Sequence, residues 1–147
     1  MGYAFAGIKL GIKEERNMRI DIVAMLFVWF HIQFYDFTRG EVAVVILVTF
    51  MIPAFELMNT AVERAVHKPD ADHWMPAGDA KDTAAGAVLI MTIGAVVIAV
   101  IMFSDIYGLV NVWKYYTGNI VHPLGLLAYI AAAYFFITID NKNKKEE

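Results

Sequence analysis

The chain has 147 residues, 59% of them hydrophobic and 18% charged, with a formal net charge of −3 and no cysteine. A soluble domain is usually nearer half apolar, so the composition excludes an ordinary soluble globule. The missing cysteines exclude a disulfide framework, a thiol nucleophile and a cysteine-held zinc.

The apolar residues collect in long runs separated by short charged stretches, which is how membrane-spanning segments read. Residues 1–19 form a zone of their own. Lys9, Lys13 and Arg16 fall in one narrow sector at helical spacing, and Tyr3, Phe5, Ile8, Leu10 and Ile12 occupy much of the rest. This predicts an amphipathic helix lying in the membrane interface. The zone lacks a basic stretch followed by an apolar core and a small-residue cleavage site, so no signal peptide is expected. Glu14, Glu15, Arg16, Asn17 and Arg19 then make a polar joint.

A bilayer takes about 20 largely apolar residues per helix. The stretches 20–35, 41–62, 83–103 and 123–139 meet or approach that length. The first is expected to end in a turn at residues 36–40. The second carries Pro53, which should kink it. A polar loop is expected over residues 64–82, with Pro69, Pro76 and Gly78 as breakers. A connection over residues 104–122 holds Trp113, Tyr115 and Tyr116, which suit a membrane interface. Pro123 opens the fourth span, and a charged tail follows. The fold class is thus an all-α membrane protein. Lys9, Lys13, Arg16, Arg19, Arg64, Lys68, Lys81, Lys142, Lys144 and Lys145 fall on one side of the bilayer, against Arg39 and Lys114 on the other. The positive-inside rule makes the first side cytoplasmic.

The end of the second span is unusual. In Glu56-Leu-Met-Asn59-Thr60-Ala-Val-Glu63, Glu56, Asn59 and Glu63 are spaced i, i+3, i+7 and share one helix face. Carboxylates are costly in lipid and mark a bundle interior or a water-filled site. A polar packing seam is the plain alternative. Glu15 before the first span and Lys81-Asp82 at the expected start of the third come to the same cytoplasmic face by topology. There Lys81 would stand beside a helix N-terminus that already favours anions. Carboxylates, an amide and a lysine together suit a metal and phosphates. Soluble-kinase signatures are missing: Gly2 and Gly7 have the first spacing of a phosphate loop, but Ile8 follows where lysine is needed. Gly7 and Gly11 form a small-residue pair that permits close helix contact. His31 reads as a satisfied membrane histidine, and His122 as an interfacial one.

Three segments carry a family resemblance: Glu15-Arg-Asn-Met-Arg19, Glu56-Leu-Met-Asn-Thr-Ala-Val-Glu63 and Ala80-Lys-Asp-Thr-Ala-Ala-Gly-Ala87. In this order they resemble the prokaryotic diacylglycerol kinase and undecaprenol kinase family over about residues 2–103. Their detailed form is closer to the undecaprenol kinase branch. The resemblance implies a lipid kinase domain over 1–103, with an N-terminal surface helix and three spans. Residues 104–147, with the fourth span and the tail, lie outside it. It further implies ATP as phosphoryl donor, Mg²⁺ as cofactor, a membrane lipid substrate and a homotrimer with shared sites in the bacterial cell membrane. No nucleic-acid partner is expected. Glu56 corresponds to the catalytic base and also meets the substrate, as Arg19 does. Glu15 and Glu63 correspond to the metal-holding carboxylates. Tyr3, Asn59, Asp72, His73, Lys81 and Asp82, with those two glutamates, correspond to the ATP-binding set. His67 stands where the family has aspartate. Diacylglycerol as acceptor and a non-catalytic multi-span scaffold are the alternatives.

Overall fold

The computed structural model describes residues 2–66 and 75–139. Asp72, His73 and His67 lie outside the described residues, as do the basic residues of the tail. Among the described residues there are helices and no strand. They are α1 (Gly2–Glu14), α2 (Arg16–His31), a 3-10 turn (Ile32–Phe34), α3 (Arg39–Val66), α4 (Met75–Phe103), α5 (Ile106–Gly118) and α6 (Val121–Thr138). Three of them, Arg39–Val66, Ala77–Phe103 and Val121–Thr138, are long and apolar enough to cross a membrane.

The span expected over 20–35 is divided. Its helix starts earlier, at Arg16, and ends at His31 after 16 residues, roughly 24 Å at 1.5 Å per residue. The 3-10 turn adds roughly 6 Å, which brings the segment to about the thickness of the hydrocarbon core. The next helix begins before Glu41, because Thr38 and Glu41 form a capping box. The Thr38 backbone N–H donates to Glu41 Oε2 at 2.7 Å, and the Glu41 N–H donates to Thr38 Oγ1 at 3.3 Å. Pro53 is accommodated inside one continuous α3.

Two expected boundaries are corrected. Helix α4 starts at Met75 rather than near residue 83. Pro76 falls in its first turn, where a missing N–H is no loss, and Ala77 is buried. The stretch expected as a connection over 104–122 contains α5. Asp105 caps it by accepting from the Gly108 N–H at 2.8 Å. Gly108 is required there, since a Cβ would run into the Tyr35 ring. The surface helix of the N-terminal zone ends at Glu14, and Arg16–Arg19 already belong to α2.

The spans pack in a row, α4 on α3, α3 on α2 and α2 on α6. Hydrogen bonds inside the apolar layer fix the order. Trp29 Nε1 on α2 donates to Thr49 Oγ1 on α3 at 2.9 Å, and the Tyr129 hydroxyl of α6 donates to the Val23 carbonyl of α2. Helix α1 lies across α2 and α3. Gly11 allows this: a Cβ there would stand 2.5 Å from Leu57 Cδ2, whereas one at Gly7 would meet nothing. The small-residue pair is therefore used at one of its two positions, and that position presses α1 against the residue that follows Glu56.

Candidate active site

The carboxylates gather where the α1–α2 joint meets the last turns of α3. Glu56 is buried, 9% exposed, at the inner end of this face of α3. Thr60, one turn on, is also buried and donates to the Glu56 carbonyl at 3.0 Å. Asn59 Nδ2 donates to Glu63 Oε1 at 3.0 Å, while Asn59 Oδ1 is buried with no partner among the described residues. Glu63 itself is exposed. The i, i+3, i+7 spacing therefore produces a graded stripe that runs from a buried acid to a solvated one.

Glu15 reaches this stripe because the chain breaks helix there. It is the extended residue (φ −98°, ψ 118°) between α1 and α2, and its side chain makes no capping bond. The Asn17 side chain lies beside the Glu56 carboxyl, and the charges of Glu15 and Glu63 both act on it. Asp21, one turn further along α2, feels the Glu56 charge in turn. Its Oδ2 is buried and has no partner among the described residues. Arg64 ties the assembly together. Its Nη2 lies 2.9 Å from Glu14 Oε2 and 3.8 Å from Glu15 Oε1.

Arg19 is buried and serves the frame. Its Nη1 donates to the Lys13 carbonyl at 3.1 Å and to that of Ile12 at 3.5 Å, closing the C-terminus of α1. Its Nε is buried without a partner among the described residues. Tyr3 is 96% exposed near the start of α1. Lys81 and Asp82 form no ion pair or hydrogen bond with the carboxylates among the described residues. Because α4 begins at Met75, Lys81 stands in its second turn, past the free N–H groups expected beside it.

Sequence reasoning singled out neither Asp21 nor Arg64 and gave Asn17 no role. An acid one residue inside an expected span was the available signal for Asp21. Nothing local marks Arg64, whose partners are about 50 positions away in the chain.

The donors around Glu56 are all oxygens: carboxylates and side-chain amides. That chemistry suits a hard divalent ion such as Mg²⁺, which takes one or two carboxylates and completes its shell with water and phosphate oxygens. No group of three or more acidic or histidine side chains converges as a metal cage among the described residues. An apolar cleft of about 190 Å³ starts at Asp21 and runs between α2, α3 and α4 past Met25, Val48 and Ala95 to Phe103.

The prokaryotic diacylglycerol kinase family matches residues 2–103. A Synechocystis protein named diacylglycerol kinase is 34% identical over 97 residues, covering 65% of this chain and 55% of that protein. The chain thus spans little more than half the length of this curated relative. No solved structure matches the chain.

Proposed function

Because the chain belongs to the prokaryotic diacylglycerol kinase family, we propose that it transfers the γ-phosphate of ATP to the hydroxyl of a membrane lipid, with Glu56 as the base. The observation that carries this reading is the position of Glu56. It is buried, flanked by Asn17, Glu15 and Glu63, and one step from Asp21 at the mouth of an apolar cleft. A lipid chain lying in the cleft would bring its hydroxyl to the cytoplasmic end of the spans. The Glu56 carboxylate takes the hydroxyl proton, the freed oxygen attacks the γ-phosphorus, and ADP leaves.

Glu15 and Glu63 would hold Mg²⁺, as the all-oxygen donor set allows. When bound, the ion offsets the negative charge of the nucleotide phosphates. Asn59 and Lys81 position the phosphates, with Asp82 beside them, and Lys81 stabilises charge on the transferred group. Tyr3, Asp72 and His73 belong to the nucleotide side. Arg19 acts on the lipid side by fixing the α1–α2 joint. The kinase unit is 1–103, and 104–147 is an addition to it.

A homotrimer with shared sites fits the exposed surface of α4, an apolar helix none of whose spanning window is buried within the chain. A second copy can cover it and bring further groups to the carboxylates. The basic residues Lys9, Lys13, Arg16 and Arg64 cluster at the site's end of the bundle, which supports a cytoplasmic site in the cell membrane.

The proposed acceptor is undecaprenol, on the form of the Glu15-Arg-Asn and Ala80-Lys-Asp segments. Diacylglycerol is the second reading, favoured by the name of the Synechocystis relative. The test is Mg²⁺-dependent transfer of labelled γ-phosphate to each lipid, side by side, in purified protein. Preferential transfer to undecaprenol is expected. Preference for diacylglycerol reverses the acceptor and keeps the chemistry, and folded protein active on neither overturns the reading.

A further inference from the structure

A second, separate pocket of about 420 Å³, partly open, lies at the other end of α2 between α2, α5 and α6. Its size falls in the range of small-molecule sites, roughly 300–1,000 Å³. Its α2 wall includes Leu26, Phe27 and Phe30. At about 100° per residue these face away from Asp21, so a chain seated in the catalytic cleft does not enter it. The α5 and α6 walls come from residues beyond 103, outside the family match.

The two histidines of this cavity are oriented by their own hydrogen bonds, while the Tyr115 hydroxyl makes none among the described residues. His31 Nδ1 is 2.7 Å from the Phe27 carbonyl, and its Nε2 is 3.1 Å from the Tyr116 hydroxyl. A carbonyl can only accept, so Nδ1 carries a proton, and in the neutral ring Nε2 accepts from Tyr116; either way both ring nitrogens of His31 are satisfied. His122 Nδ1 is 2.7 Å from the Tyr115 carbonyl, and its ring stacks on Tyr115 at 3.9 Å and 6°. In the neutral ring the same reasoning leaves His122 Nε2 as an acceptor, and no donor reaches it among the described residues. The lining carries no lysine, arginine, aspartate or glutamate. The ligand that fits this lining is uncharged at its head, apolar in its body, and able to donate a hydrogen bond to His122, with the Tyr115 hydroxyl free to answer as donor or acceptor. A hydroxyl on a hydrocarbon chain meets all three conditions. A phosphatidylcholine head carries charge and has no O–H to give.

We propose that this cavity is a second, non-reacting site for a neutral lipid alcohol, whose O–H donates to His122 Nε2 while its chain lies between α2 and α6. Without a carboxylate or a cation in the lining, the site binds the alcohol and leaves it unchanged.

The test uses the full chain in lipid nanodiscs with two photoactivatable probes, a diacylglycerol and a phosphatidylcholine, each carrying a diazirine in one acyl chain. The diacylglycerol probe should label peptides of residues 26–31 and 121–129 in addition to the cleft between Asp21 and Phe103. Gly125→Leu should cut labelling of the first two peptides roughly tenfold and spare the cleft, since Gly125 borders the cavity and a Cβ there meets nothing within 4 Å. His122→Phe keeps a ring on Tyr115 and removes the acceptor; the loss of one hydrogen bond should lower cavity labelling roughly tenfold. Equal labelling of the cavity by the phosphatidylcholine probe, labelling confined to the cleft, or labelling indifferent to both variants would overturn the proposal.

Discussion

The chemistry proposed at Glu56 would depend on a few side chains that hold one another. A carboxylate acting as general base contributes about 10²- to 10⁴-fold. Glu56→Gln should therefore lower kcat by roughly that factor, with KM for ATP little changed, in the labelled-phosphate assay. Arg64 offers a sharper test, because its pairing with Glu14 and Glu15 is partly exposed. Such pairs contribute about 0–1 kcal/mol to stability. Arg64→Ala should leave the melting temperature in detergent almost unchanged and still raise the Mg²⁺ concentration needed for half-maximal activity, because Glu15 loses its guide. Arg64→Lys should restore much of the loss. An unchanged Mg²⁺ titration in Arg64→Ala would show that Glu15 is held by the backbone joint alone.

Helices bring these residues together through two local devices. One is the close approach of α1 to α3 at Gly11, where there is no room for a larger side chain unless Leu57 gives way. Overpacking of this kind costs about 1–3 kcal/mol. Gly11→Val should lower thermal stability and also activity, since Leu57 adjoins Glu56. Gly7→Val, open to space, should do neither. The other device is the Asp105 cap of α5. Asp105→Ala should cost about 1 kcal/mol, seen as a lower melting temperature with transfer activity retained, because α5 lies at the end of the bundle away from Glu56.

For the whole molecule, the row of spans leaves α4 and α6 as its two flanks, with no buried residue in either spanning window. Such a row leaves both flanks open to lipid or to a second copy. If sites are shared between copies, mixing two inactive variants tests it directly. Glu56→Gln and Lys81→Ala chains, denatured together and reassembled, should regain a fraction of wild-type transfer. Recovery absent from well-folded mixed oligomers would mean that Glu56 and Lys81 serve the same site from one chain.

The sequence by itself determined the helical membrane architecture and the graded stripe Glu56, Asn59, Glu63. Hydropathy and helical spacing act over a few residues and are legible without a fold. The satisfied state of His31 was readable for the same reason, since an imidazole in an apolar span must find partners. Element ends were less legible. Thr38 and Glu41 form a local capping signal that the apolar pattern overshadowed, and Pro76 and Gly78 read as breakers although a first turn tolerates the one and α4 continues through the other. Only the tertiary structure decided that Asn17 and Asp21 join Glu56, that Arg64 holds the α1–α2 joint, and that α5 and α6 form a pocket against α2. Each depends on residues distant in sequence meeting at one point. Such meetings follow from how the helices pack, and no local pattern of polarity encodes them.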